Sequence, residues 1–524
     1  MKVIEKYRAI TLTFHASQTY QNPVRDCRLE AVFTHDHVSI KREAYWDGDN
    51  IYRIRFAPTE VGVWQYTLYS QDKILDEVVG EIQCEDYEGD LDIYKHGFLK
   101  VSDDHHFITY ADGTPFFWLG DTHWEFAYRE EFDHSSSTLF QSQFKDMVDI
   151  RKRQGFNVYQ TNLRSDKLMG GDCHYWDEND LPNIPFYQQE LDRRMAYLAD
   201  HGFVNALGLA WFMSIEDNVE RYQELARYII ARYGAYPMVY TLAGEVGGYH
   251  KEKQQFYIDE WRKVMDVIIE YDGYHQLHTA HYTNERPFPT YYQDEEWLDF
   301  TLNQAGHGDY VISANDYTSY LVKHNDKPFV EGEAFYEFCS TLEENGTRMV
   351  DATMVRRVAY MTIQSGGAGY TYGAQGIWDC VLAKGTQNAM SLFNKYDVTW
   401  YEAILGEGAI QMGYMKDFYL NEDFTTLHPY VTEMSEKGNP FGKKLPLVTH
   451  NAAKTHWVLY YPASTRSTTT LKGFNHAKYE LRWFDVRTGQ YSKPFYEYIE
   501  GEWKIIKKPD QEDYCLVLKQ LQED

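Results

Sequence analysis

Between residues 97 and about 373 the chain repeats one pattern, a short apolar run followed by a stretch of helical spacing, and few folds can absorb that repeat. Phe116–Gly120, Phe156–Leu163, Phe203–Trp211, Met238–Glu245, His275–His281, Phe300–Ala305, Phe329–Glu333 and Gly367–Gly373 read as strands. Thr138–Gln154 carries Phe140, Phe144, Met147 and Ile150 on one stripe, and Tyr187–His201, Val219–Arg232, Phe256–Glu270 and Met349–Gln364 also read as helices. Only a short helix, Asp294–Trp297, fits between the fifth and sixth strands. Runs that are apolar on both faces are what parallel strands under helices require. Eight strand–helix units predict an α/β fold, a (β/α)8 TIM barrel.

The flanks alternate with the two-residue period of sheets. Tyr7–Phe14, Cys27–Phe33, Tyr52–Phe56 and Val63–Tyr69, separated by turns such as Asp47-Gly-Asp-Asn50, predict an N-terminal Ig-like β-sandwich. Thr399–Tyr419 reads as one more helix and Leu427-His-Pro429 as a boundary turn. His456–Tyr461, Thr468–Lys472, Tyr479–Phe484, Trp503–Lys507 and Tyr514–Leu518 then predict a small C-terminal β-sandwich. The expected domains are therefore 1–92, 93–430 and 431–524. No Gly/Ser-rich or Pro-rich linker separates them, so they are expected to pack rigidly.

A net charge of −28 argues against nucleic acid or an anionic membrane as partner and favours a neutral or cationic one. With 45 Tyr and 13 Trp the chain is well supplied with flat faces on which a sugar can stack, though β-rich cores use the same residues. Six scattered cysteines without a CxxC pair suggest free thiols, and with no apolar leader or membrane span the expected location is cytoplasmic. HExxH, GxSxG, P-loop and GxGxxG motifs are absent, so no cofactor or metal is expected. The oligomeric state is left open.

Active sites of such barrels lie at the C-terminal ends of the strands. There the sequence places Asp121 and Trp124, then Gln160 and Asn162, Trp211, Glu245, His281, Gln304, Glu333 and Tyr372, with Trp378 just beyond. In Met238–Glu245 the small residues Val239, Thr241 and Ala243 share Glu245's parity, which predicts a carboxylate facing the barrel axis and bulky residues under helices. Two acids on two strand ends, Glu245 and Glu333, are the minimum equipment for glycoside hydrolysis, one donating a proton while the other stays ionised. Asp121, Trp124, Gln160, Trp211, His281, Gln304, Tyr372 and Trp378 are the candidate substrate-binding residues, for a small carbohydrate. Glu331 lies one layer deeper and is expected to pair with a cation such as Arg164. The alternatives are a non-catalytic carbohydrate-binding protein and, behind it, a metal-dependent hydrolase using Asp121, His123 and His281.

Pro115-Phe-Phe-Trp-Leu-Gly-Asp-Thr-His-Trp124, Gln154-Gly-Phe-Asn-Val158, the Gly-Glu245 strand end, Lys327-Pro-Phe-Val-Glu-Gly-Glu-Ala-Phe-Tyr-Glu337 and Gly366-Gly-Ala-Gly-Tyr-Thr-Tyr-Gly373 together resemble the apiosidase-like glycoside hydrolase barrels. The resemblance covers most of residues 97–430. Tyr45-Trp-Asp-Gly-Asp49, Arg55-Phe-Ala-Pro58 and Gly62-Val-Trp64 resemble the β-sandwich often found before these barrels, and Trp483-Phe-Asp-Val-Arg-Thr-Gly489 the β-domain that often follows. It implies a retaining mechanism, with Glu245 as acid/base and Glu333 as nucleophile. Many relatives carry Gly-Gly-Asp where this chain has Ala-Gly-Glu245, and Asp-Gly-Glu-Pro where it has Glu331-Gly-Glu-Ala334. The resemblance therefore reaches the mechanism before it reaches the sugar.

Overall fold

The computed structural model describes residues 1–127, 129–164, 174–285, 288–307, 326–341, 348–386, 394–430, 445–466 and 468–522. Its centre is a curled, barrel-like sheet of eight parallel strands. In chain order these are Trp118–His123, Val158–Arg164, Val204–Trp211, Met238–Gly244, Leu277–His278, Thr301–Gln304, Phe329–Glu333 and Gly369–Tyr372, here called strands one to eight. Strand one pairs with strand two through Asp121↔Tyr159 and with strand eight through Asp121↔Tyr372. Strands five and six meet through a single parallel bridge, His281↔Leu302, supported by Asp299 N–H donating to the His278 carbonyl at 3.0 Å. Val158, Val204, Ala206, Val239, Leu277, Leu302 and Val330 form the inner apolar cluster, while Met238 and Tyr240 join the larger cluster that includes the helices.

Helices Gln143–Arg153, Val219–Tyr233 and Ala352–Gln364 each start at a side-chain cap, Ser142, Asn218 and Asp351. The Ser142 cap is why the first of them begins later than its apolar stripe suggested. The helix expected over Thr399–Tyr419 is two, Trp400–Ala403 and Glu407–Asn421, divided at Gly406. Asp294–Trp297 forms turns. The fifth strand is shorter than expected because its neighbour is irregular. Leu242 stands at φ 62°, the pairing of strands three and four slips between Leu207↔Tyr240 and Gly208↔Leu242, and strict alternation ends there.

Within the first 92 residues lie a five-stranded and a three-stranded sheet, with Phe33 stacked on Phe56 at 3.8 Å and Trp64 buried among them. Strands Lys2–Glu5, Val38–Glu43 and Val79–Glu85 went unread because their sequences are largely polar. Arginines fasten these sheets to the C-terminal end of helix Val219–Tyr233, where carbonyls lack helical partners. Arg42 Nη2 donates to the Ile230 carbonyl at 2.7 Å and Arg55 to that of Arg232.

After the barrel, a mainly antiparallel sheet built around Ala477–Asp485 and Tyr514–Gln520 docks through two buried charge clusters. Arg356 pairs with Asp513 at 2.9 Å. Glu422 accepts from the Tyr491 hydroxyl at 2.6 Å and meets Lys519 at 2.7 Å and His456 at 2.9 Å. The His456 contact is too bent for a hydrogen bond. Burial alone would raise the Glu422 carboxyl, but these partners outweigh it and pull it down to about 2. A depressed carboxylate stabilises the fold above its unfolded value of 4.5 and loses that contribution as pH falls from there toward 2. Its ceiling is about 3 kcal/mol. Glu422→Gln is therefore expected to lower Tm at neutral pH, with the gap from the parent narrowing below pH 4.5 and still partly open at pH 3, as thermal unfolding between pH 3 and 8 would measure; an equal gap at every pH would count against it.

Candidate active site

Strand four ends at Gly244, where a β-carbon would come within 2.6 Å of the Trp211 indole. The next residue, Glu245, takes φ 55°, a left-handed turn that non-glycine residues adopt at a cost and that is frequent at functional sites. Glu245 Oε1 accepts hydrogen bonds from the Tyr249 hydroxyl and, at 3.0 Å, from Gln304 Nε2 on strand six. Its backbone N–H points at His281 Nδ1 over 3.4 Å, which leaves the imidazole proton on Nε2. That Nε2 lies 3.2 Å from Glu333 Oε2, a bent contact, while His307 Nε2 reaches Glu333 Oε1 at 2.9 Å. One imidazole thus bridges the backbone of one acid and the carboxylate of the other.

The surroundings drive the two acids apart. Glu245 is raised, first by burial and then by the charge of Glu333, against the hydrogen bonds of Tyr249 and Gln304. Burial would raise Glu333 too, but His281 and His307 overcome it and hold that carboxylate well below its ordinary range. Opposite shifts on neighbouring carboxyls favour the proton on Glu245 and the charge on Glu333.

Aromatic rings wall the site. Trp124 donates its indole N–H to the Tyr336 hydroxyl at 3.1 Å and packs against Trp211 and His281 at 5.3 and 5.6 Å between centroids. Tyr336 adjoins His307 at 4.6 Å and Trp378 at 5.6 Å. Gln160 Nε2 donates to the Gly332 carbonyl at 2.8 Å, tying strand two to strand seven. The buried Gln160 Oε1, the Asn162 amide, and the indole nitrogens of Trp211 and Trp378 have no hydrogen-bond partner among the described residues.

The structure therefore gathers Glu245, Glu333, His281, Gln304, Trp124 and Trp211, with Gln160 and Trp378 against the same elements. Asp121 and Tyr372, expected to meet a sugar, lie in a different network. Asp121 is fully buried and holds Arg151 and, at 3.0 Å, His123, which in turn meets Glu130 at 2.7 Å. Tyr372 donates to Glu337 at 2.6 Å, and Glu337 takes the Gly408 N–H at the start of helix Glu407–Asn421. The reason is common to both: adjacent strands one and eight turn these side chains toward the helices, where buried charge must be paired. Glu331 is held by Asn303 Nδ2 at 2.7 Å and the Ala305 N–H at 2.8 Å, not by Arg164, which donates to the Tyr222 hydroxyl. The metal alternative loses its geometry, since Asp121 and His123 pair within their own network while His281 faces Glu333. Among the described residues no group of three His, Cys, Asp or Glu side chains is placed to hold an ion.

Tyr249, His307 and Tyr336 went unpredicted. His307 lies three residues beyond Gln304 and Tyr336 three beyond Glu333, so both follow strand ends that were already marked. Two cavities, of about 180 and 220 Å³, lie elsewhere, at Phe329, Ser365 and Thr449 and at Arg25, Trp176 and Tyr228, and border neither acid. The acids define the site by their chemistry.

A family model described as the apiosidase-like catalytic domain matches residues 102–426, and one described as a domain of unknown function (DUF5060) matches residues 3–71. No curated protein matches the chain. Among solved structures, it resembles a Bacteroides vulgatus ATCC 8482 protein provisionally described as a glycoside hydrolase, with TM-score 0.74 and 16% identity over 99% of this chain and 100% of that one. A glycoside hydrolase family 5 protein from the same organism gives TM-score 0.64 and 21% identity over 82% and 94%. A further structure, described as a glycoside hydrolase, gives 0.62 and 20% over 82% and 98%. At such identities these likenesses concern the fold, whereas the family match runs from ahead of strand one to past strand eight. The chain thus belongs to the apiosidase-like family through its catalytic domain, and it is a glycoside hydrolase.

Proposed function

We propose that the protein is a retaining glycoside hydrolase acting on small neutral, plant-type glycosides or oligosaccharides, with Glu245 as acid/base and Glu333 as nucleophile. The observation that carries this is the opposite displacement of two neighbouring carboxyls, Glu245 upward and Glu333 downward. In the first half-reaction Glu333 attacks the anomeric carbon while Glu245 gives its proton to the departing oxygen. In the second, Glu245 takes a proton from water, whose oxygen displaces Glu333. His281 and His307 keep Glu333 ionised, and the buried Trp124 and Trp211 pack beside them. The indoles of Trp211 and Trp378 and the amides of Gln160 and Asn162 are the groups that sugar hydroxyls would satisfy.

A neutral sugar suits a chain of net charge −28 with two acids in its site. The family name points to apiose, but Glu245 reaches about one methylene further than the Asp of many relatives, so related neutral glycosides belong in the same test. The reading also keeps the division at residues 92 and 430, with the flanking sheets as supports. A panel of aryl glycosides of neutral sugars and plant oligosaccharides, compared with polygalacturonate, checks the substrate. Proton NMR of the first-formed anomer checks the mechanism. Neutral glycosides are expected to react fastest and with retention; faster turnover of the polyuronate, or an inverted first product, would count against the proposal.

A further inference from the structure

Tyr249 ends no strand, yet it touches the acid. It follows Val246-Gly-Gly248, the residue is 47% exposed, and its hydroxyl sits on Glu245 Oε1. The loop delivers it by a tight turn: Gly248 N–H donates to the Glu245 carbonyl at 2.7 Å, and Gly248 stands at φ 61°. A β-carbon on Gly248 would lie 2.6 Å from the Phe212 ring, and one on Gly247 would lie 2.3 Å from the Tyr291 hydroxyl, so only glycines let the loop lie this close. The Tyr249 ring then packs edge-on against Phe212 at 6.0 Å.

From the far side, Gln304 Nε2 donates to the same Oε1 at 3.0 Å, and its own Oε1 stands 3.4 Å from the Tyr249 hydroxyl. Two donors converge on one oxygen of the carboxyl. An oxygen that accepts two hydrogen bonds is the poorer place for a proton, which goes to the other.

We infer that Tyr249 and Gln304 clamp Glu245 Oε1, so that the catalytic proton resides on Oε2 and is aimed at the glycosidic oxygen from there. Both are positioning residues, acting through Glu245, and the inference rests on Glu245 being the acid/base. When the glycosidic C–O bond breaks, the proton on Oε2 passes to the leaving oxygen and Glu333 bonds the anomeric carbon. When water then attacks, its proton returns to Oε2 and Glu333 leaves. The clamp also stabilises the ionised form, since hydrogen bonds donated to a carboxylate favour its charge. It therefore restrains the rise that burial and Glu333 impose on Glu245.

The test compares the parent with Tyr249→Phe and Gln304→Ala, using the phenyl and dinitrophenyl glycosides of whichever neutral sugar the parent hydrolyses best. Losing one hydrogen bond to the carboxylate is expected to move the basic limb of the kcat/KM profile upward by about one pH unit. It is also expected to lower kcat on the phenyl glycoside by about tenfold, with KM and the dinitrophenyl rate nearly unchanged. An exposed position makes Tyr249→Phe safe for folding, and Gln304→Ala repeats the test from the other donor. An unmoved basic limb with equal losses on both glycosides, in both variants, overturns the clamp. If Glu245→Ala shows leaving-group dependence while Tyr249→Phe does not, only the clamp falls. If Glu245→Ala shows none either, the acid/base assignment falls and takes the clamp with it.

Discussion

Replacing Glu333 by alanine is expected to abolish turnover on every substrate, by about 10⁴-fold or more, however good the leaving group. In the proposed mechanism no glycosyl-enzyme forms without it, and a dinitrophenyl leaving group, which needs no proton, does not relieve that step. The structure gives a further reason: His281 and His307 both converge on this carboxylate, so its removal leaves two imidazoles facing a hole rather than a reacting carbon. Steady-state rates on dinitrophenyl and phenyl glycosides, with thermal unfolding to establish that the variant is folded, check the expectation. A folded Glu333→Ala within tenfold of the parent would show that the nucleophile lies elsewhere. Glu333→Gln, nearly the same in shape, should be as inactive.

Glu245→Ala should fail differently. Its loss removes the proton donor, so the phenyl glycoside should slow by about 10²- to 10⁴-fold while the dinitrophenyl glycoside still forms the glycosyl-enzyme. Hydrolysis of that intermediate needs the general base, so added azide should speed turnover and yield a glycosyl azide of retained configuration. The pH profile follows from the shifts. Glu333 is depressed and Glu245 raised, so the active form has the first ionised and the second protonated. Activity falls at high pH as Glu245 loses its proton, and that basic limb should vanish in Glu245→Ala. If azide instead rescues Glu333→Ala and leaves Glu245→Ala inert, the roles are exchanged.

The repeat of apolar runs and helical stripes was enough to find all eight strands, because both periods are local properties of the backbone. The same reading singled out Glu245 and Glu333, since each closes an apolar run at the C-terminal end of a strand. It even sorted Val239 inward and Met238 and Tyr240 outward. Beyond Thr241 it lost its footing: a bulge at Leu242 resets the parity, and the orientation of Glu245 comes from its own left-handed turn.

What only the tertiary structure decided is which groups meet. Strand ends far apart in the chain become neighbours when the sheet curls, and no local period encodes that Gln304 should reach Glu245 or that His307 should reach Glu333. Strand ends also differ in what lies behind them. Asp121 and Tyr372 occupy equivalent sequence positions to the acids but are claimed by Arg151 and Glu337, because a buried charge takes the nearest compensating partner. Glu331 likewise found Asn303 and backbone N–H groups rather than Arg164. The sequence by itself determined the eight-stranded scaffold and marked an acid at the end of two of its strands, through periodicities that act over a few residues. Folding decided the acids' partners, and with them the opposite shifts of the two carboxyls, because hydrogen bonds and charge act over a few ångströms of space whatever the distance along the chain.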